Sequence, residues 1–408
     1  GAGSDYGVDP DVVNSTRPGY SFREALLAIP SMSITSAPGD IFGAERGIYY
    51  HSTGRGRPWE REISLEMFHP EGSTAFQEDC GARMHGNSSR SHGFTLKHPF
   101  RILFRNEYGA GKLRHKLFPD SSVERFDQIL LRGASTDSWP VVDGGSRWLN
   151  ERGTYIRDQW VRNAQIALGQ PSSHGTYVHL FVNGLYWGLY NPSERPTSSF
   201  TAEHLGGDKE EWDIFKDFAE LREGNRSAWD QMFAQANAGL SSNAAYQKIQ
   251  GNNPDGTRNM NYQVLVDVDN LIDYMLVHIY IGGEDWHQHN WWAGRRRGPE
   301  STGFKWFAWD QEISNESLTR TVSLAGARFE DPYYGRPGPA HIYGKLLDNQ
   351  AFRWRFQDRV HEVLFNDGPL TAENAANKGI KRITVNNIHD LIPMKNIDNI
   401  VAFNAVKP

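Results

Sequence analysis

The chain has 408 residues, with 43 Lys and Arg against 49 Asp and Glu for a net charge of −6, and it carries one cysteine, 13 tryptophans and 40 glycines. That length suits two to three domains, or one domain of two lobes, with a core that needs no covalent staples. The mild acidity argues against bulk binding to nucleic acid or anionic membrane, a lone cysteine excludes an internal disulfide and a thiolate zinc site, and no apolar run approaches the ~18 residues of a membrane span.

The chain opens at Gly1 with neither methionine nor leader, which reads as a mature or trimmed chain. Residues 1–30 are dotted with Gly, Pro and Ser and are expected to wrap a surface as an N-terminal extension. From Ser31 the text alternates apolar and polar residues, in SMSITSA and again in REISLEMF, with a turn at Pro70-Glu71-Gly72 between runs. FTLKHPFRILFRNEYGAGKL reads as a further strand pair that includes Lys97, and DQILLRG as a short buried strand. In GTYVHLFVNGLYWGLYNPSE two aromatic and β-branched runs flank Asn183-Gly184, a strong hairpin signal because both turn positions need positive φ. A helix capped by Ser198 or Ser199 is expected after Pro196.

The second half reads as more helical. Asp269 is placed to cap LIDYMLVHIYI, which stops at Gly282-Gly283. A second hairpin follows, with strands near 290–296 and 304–309. Phe352, Phe356, Val360 and Leu364 recur every four residues, the stripe of a helix packed on a core. After about Asn377 the composition shifts to Ile, Asn and Lys, so residues 377–408 read as a separate tail with a strand and a short helix.

The chemistry-bearing residues cluster around the second hairpin. Asp285 sits just past a helix, Asn290 opens the hairpin, and Asp310 closes it after Trp309. Three hard oxygen ligands return to one neighbourhood, which suits Mg²⁺ or Mn²⁺ better than zinc. The Asp285 to Asn290 spacing matches a kinase catalytic loop, with Asp310 where the second metal-binding Asp belongs. Phosphoryl transfer also needs a cation on the phosphates. Lys97 is the candidate, with Arg90 nearby in GNSSRSHG and Glu194, placed at the start of a helix, to orient the lysine.

These stretches together resemble the CotH kinase family of atypical secreted kinases. The resemblance is carried by MHGNSSRSHGFTLKHPFRILFRNEYG, VNGLYWGLYNPSERP, GGEDWHQHN and KWFAWDQE, in the family's order, and spans roughly residues 30–370. It implies an α+β, bilobal, atypical protein-kinase-like fold, with a β-rich N-lobe at about 31–200 and a mainly helical C-lobe at about 201–376. It implies that Lys97 binds the ATP phosphates, Glu194 orients Lys97, Asp285 is the catalytic base, and Asn290 and Asp310 hold Mg²⁺ or Mn²⁺. Trp309 would stack on adenine, opposite Tyr190 or Tyr186. The family often shows Asp-x-Asp after the tryptophan; Glu312 stands at the second position here as a further metal candidate, and His98 stands where a second lysine is common. The implied reaction is transfer of the γ-phosphoryl group to Ser or Thr of an extracellular or cell-envelope protein by a monomer.

Other readings of the same residues stay open. Asp285 and Asn290 also read as turn-forming residues, Asp310 as a strand cap, Lys97 as a solvated strand residue and Glu194 as a first-turn helix carboxylate. His287 and His289, with Asp285 and Asp310, fit a metal-assisted hydrolase, and the whole fits a catalytically inactive kinase-like binding or scaffold module. Trp286, Trp291 and Trp292 read as core. Arg295-Arg296-Arg297 reads as a solvated turn or a contact for an acidic substrate or a phosphate, and Cys80 as a structural thiol.

Overall fold

In the computed structural model, seven strands between Ser31 and Ser193 close into a barrel, with alternating burial along Ser31–Thr35 and Arg61–Phe68. The structure describes residues 10–14, 16, 21–138, 153–283, 286–287, 289–314 and 337–377. Contacts divide the described residues into two units, the first running to Ile156 and including His174–Arg195, the second made of Arg157–Ser173 and the described residues from Pro196 to Asn377.

In the first unit, α1 (Pro10–Val13) and α2 (Phe22–Leu26) precede the barrel, so the N-terminal extension is partly helical. Ser21 and Glu24 close a reciprocal capping box on α2. Then come β1 (Ser31–Thr35), α3 (Pro38–Ile41), β2 (Arg61–Phe68), β3 (Thr74–Met84), β4 (Phe100–Leu103), β5 (Leu113–Arg114), β6 (Arg125–Phe126), β7 (Gln128–Arg132), β8 (Val178–Val182) and β9 (Leu185–Ser193). Seven of them close in the order β1-β2-β3-β4-β7-β9-β8, while β5 and β6 form a separate ribbon. Closure is the parallel pair β1·β8, from Ser31↔His179 to Ile34↔Val182.

Register explains the core. Residues directly opposite share a face, so Ile34↔Leu65, Ile63↔Cys80 and Ala82↔Ile102↔Ile129 line up one continuous apolar surface. All are buried, and each Ile or Leu side chain so buried is worth about 1.5–3 kcal/mol. Cys80 belongs to this face, and burial pushes its thiol pKa up, which suits a structural role. The β8–β9 turn uses Asn183 at φ 50° and Gly184 at φ 80°.

The second unit contains α4 (Arg157–Ala167), α5 (Ser198–Leu205), β10 (Trp212–Lys216), β11 (Glu220–Glu223), α6 (Ser227–Ala238), α7 (Asn243–Ile249), α8 (Val268–Tyr280), β12 (Trp291–Arg296), β13 (Lys305–Ala308), α9 (Pro339–Leu346), α10 (Gln350–Leu364) and α11 (Ala372–Asn377). Its four strands form an antiparallel sheet in the order β11-β10-β12-β13. One core joins Leu271, Met275 and Tyr274 of α8 with Trp229, Trp291, Trp306 and Phe352. The free edge of β13 is covered by side chains: Gln165 of α4 accepts from the Ala308 N–H and donates to Trp306 O, while Asn270 of α8 accepts from the Trp306 N–H. Covering an edge in this way removes a template for strand addition.

Three local expectations need correction. The N-cap of α5 is Thr197, one residue ahead of the expected serines, and Ser198 Oγ turns to Glu223 instead. The N-cap of α8 is Asp267, whose side chain accepts from the Asn270 N–H; Asp269 lies inside the first turn and pairs with Arg355. Arg295-Arg296-Arg297 is not a solvated turn. Arg295 and Arg296 lie in β12, Arg295 is buried and donates to Val264 O and Gln263, Arg296 pairs with Glu211, and Arg297 pairs with buried Asp213. The tail lies outside the described residues from 378 onward.

Candidate functional site

In the second unit the candidate residues gather at one end of the sheet. Trp291 of β12 pairs with Ala308 of β13. Asn290 therefore sits one residue before that last rung and Asp310 two residues after it. Both are non-glycine residues in the left-handed region, at φ 60° and φ 58°. Asn and Asp tolerate this conformation best among residues with a Cβ, and such strain persists where neighbouring contacts hold it.

Those contacts are visible. The Asn290 N–H donates to Asp217 Oδ1 at 2.8 Å, and Asn290 O accepts from Gln311 Nε2 at 3.4 Å. Gln311 also donates from Nε2 to Trp309 O, and from its backbone N–H to Asp158 Oδ1 at 2.8 Å. Asp158 in turn pairs with fully buried Arg162. Asn290 and Asp310 are half-buried, whereas Gln311 and Glu312 are buried. Gln311 Oε1 is buried without a hydrogen-bond partner, an uncompensated acceptor on the residue between Asp310 and Glu312. The donor set at this end is hard oxygen, which fits Mg²⁺ or Mn²⁺.

Trp309 is buried, its ring 6.0 Å from that of Trp292 in an edge-on arrangement. Lys216 Nζ lies 5.9 Å from the Trp292 centroid and 2.7 Å from Asp217 Oδ2. His289 stacks on Phe218, with centroids 5.5 Å apart. Trp286, Trp291 and Trp292 are core residues. Asp285 lies outside the described residues. Asp217, Lys216 and Asp158 went unnoticed in the sequence.

In the first unit, Lys97 falls in a bend ahead of β4 rather than in a strand. Pro99 explains this, since it has no N–H for a ladder and the strand starts at the next residue. Lys97 is 1% exposed, and its Nζ lies 4.8 Å from the Tyr155 centroid and 5.2 Å from that of Tyr190. A desolvated ammonium between two ring faces is a strong cation–π arrangement. Tyr190 is buried and its hydroxyl donates to His98 O at 3.0 Å. Tyr186 is half-buried, with its hydroxyl 3.1 Å from His179 Nδ1.

Glu194 is buried at the end of β9, not at a helix start, and α5 begins four residues later. Its Oε2 accepts from the His174 N–H at 2.9 Å, and its own N–H donates to His174 O. Arg90 ends a 3₁₀ turn at Ser88–Arg90, and its guanidinium donates to Thr53 O and Gly54 O. Those bonds tie the Ser-rich loop to residues 53–54. Beside it, His98 is buried, its Nδ1–H donating to Ser89 O and its Nε2 2.8 Å from His92 Nδ1; burial holds its pKa down to about 4.

The barrel unit thus holds a buried lysine, and the helical unit places Asn290 and Asp310 at one end of a hairpin. The family described as CotH kinase protein matches residues 82–384, most of the chain. The chain belongs to the CotH kinase family. Among curated proteins, none matches it.

Proposed function

We propose that the protein is an atypical protein kinase that transfers the γ-phosphoryl group of ATP to Ser or Thr of an extracellular or cell-envelope protein. The observation that carries this reading is the pair Asn290 and Asp310, both left-handed and at one end of β12 and β13, in a member of the CotH kinase family. In this reading the barrel unit serves as the N-lobe and the helical unit as the C-lobe.

Asn290 and Asp310 would hold Mg²⁺ or Mn²⁺, with Glu312 as a further carboxylate. The metal would supply charge stabilisation at the phosphates. Lys97 would offer its ammonium to the phosphates, and Glu194 would orient that lysine. Asp285 would accept the proton of the acceptor hydroxyl as the new P–O bond forms and the bond to the β-phosphate oxygen breaks, with ADP as leaving group. Trp309 is the aromatic candidate for the adenine, with Tyr190 or Tyr186 as the candidate for the opposite face. The bonds made by Arg90 favour a part in loop structure over phosphate binding.

The test is Asp310→Asn, which keeps a residue tolerant of positive φ. Transfer from radiolabelled ATP to a generic protein acceptor in Mn²⁺ should be lost in the variant and present in the wild type. Equal transfer by both would overturn the assignment. Binding of Mn²⁺–ATP without transfer would instead favour a binding module.

A further inference from the structure

We infer that Asp217 and Phe218 form a clip that positions Asn290 for metal binding, Asp217 by accepting the Asn290 amide and Phe218 by stacking on His289. The inference rests on the metal reading of Asn290 and Asp310.

The turn after β10 is built in an unusual way. Asp217, Phe218 and Ala219 are three consecutive non-glycine residues at φ 22°, 47° and 59°. Glycine would adopt these angles without a Cβ clash, yet none is used. A turn of this kind persists where surrounding contacts over-determine it.

The contacts run pairwise to the start of β12. Asp217 Oδ1 accepts from the Asn290 N–H at 2.8 Å, and the Asp217 N–H donates to Trp291 O at 3.3 Å. The Phe218 ring stacks on His289 with an interplanar angle of 12°. Phe218 is 42% exposed, so burial of its own ring is not what places it there. Asp217 Oδ2 is engaged by Lys216 Nζ, which also lies 3.6 Å from Glu220 Oε2. Both carboxylate oxygens of Asp217 are thus engaged within the protein, and the role assigned to Asp217 is that of a positioning residue.

Asn290 needs such a clip. Its backbone N–H is bonded to the Asp217 carboxylate, and a half-buried N–H without an acceptor is costly. Removing the Asp217 carboxylate would let Asn290 relax toward negative φ and redirect its carboxamide. Outer-shell partners of metal ligands commonly matter in this way.

The experiment pairs hydrogen–deuterium exchange in the metal-free protein with Mn²⁺ titration by calorimetry, on wild type, Asp217→Ala, Asp217→Asn and Phe218→Ala. Asp217→Ala should speed exchange at the Asn290 amide about tenfold, as expected for loss of one hydrogen bond, and weaken Mn²⁺ binding about 10-fold or more. Asp217→Asn keeps an acceptor oxygen and should restore most of both. Phe218→Ala, at an exposed position, should shift both measurements in the same direction by less. Unchanged exchange at Asn290 and unchanged Mn²⁺ affinity in Asp217→Ala and Phe218→Ala would overturn the inference. Failure of the wild type to bind Mn²⁺ would instead overturn the metal reading, with exchange at Asn290 still deciding whether the clip exists.

Discussion

The backbone N–H of Gln311 donates to Asp158 Oδ1 at 2.8 Å across 153 residues of sequence. Through this bond the first turn of α4 reaches the segment between Asp310 and Glu312. Asp158 also carries the charge that balances Arg162, which has no exposed surface. Asp158→Ala would remove the carboxylate 3.1 Å from the buried Arg162 guanidinium, so it should destabilise the second unit by about 3–5 kcal/mol. Urea unfolding followed by tryptophan fluorescence measures this, and Asp158→Asn should cost less.

Lys97→Met keeps the aliphatic length between Tyr155 and Tyr190 and removes the charge. ATP affinity should fall by about tenfold or more, as for loss of a charged hydrogen bond, and transfer activity should vanish. The far-ultraviolet circular dichroism should stay at wild-type intensity. ATP affinity at the wild-type value would take Lys97 out of the phosphate site.

Glu60 is a buried hub in the barrel unit. Its carboxylate meets Arg57, Arg83 and Arg105 and accepts from the Tyr108 hydroxyl at 3.1 Å. Glu60→Ala would set three guanidiniums against one another, and stability should fall by about 3 kcal/mol or more. Salt should recover part of that loss by screening the repulsion, so the deficit measured in denaturant should narrow as NaCl is added.

His98 and His278 give the protein an acid-sensitive limb. Both are buried, and burial holds each pKa down to about 4, against about 6.5 in an unfolded chain. Below that value the unfolded chain takes up protons that the native imidazoles refuse. Stability is therefore full above about pH 6.5 and falls as the pH drops toward 4, by a few kcal/mol in all on the order-of-magnitude linkage relation. His278→Phe should flatten the fall between pH 7 and 5, seen as a smaller change in urea midpoint. An unaltered pH profile would show that His278 does not contribute.

Much of the fold was legible where one signal dominates. Asn183-Gly184 between aromatic and β-branched runs fixed a hairpin, and the four-residue recurrence from Phe352 marked α10. The helix α4 was not legible, because it buries Asp158, Gln159, Arg162 and Gln165 and so shows no clean apolar stripe. The arginine run at 295–297 misled for a related reason: its partners Glu211 and Asp213 stand more than 80 residues away in the chain. That Asn290 and Asp310 lie at one end of the same strand pair was readable because one hairpin joins them. Asp217 was not, since its bond to Asn290 spans 73 residues and no local spacing encodes it.

The parallel pairing of β1 with β8 has a consequence for biosynthesis. Ser31 must wait for His179, about 150 residues downstream, which at ~5–20 residues per second is of the order of ten to thirty seconds on the ribosome. During that interval β1 and β2 can zip together while the outer side of β1 stays unsealed. A nascent chain stalled before residue 178 should therefore engage holding chaperones, and release should follow once β8 has emerged.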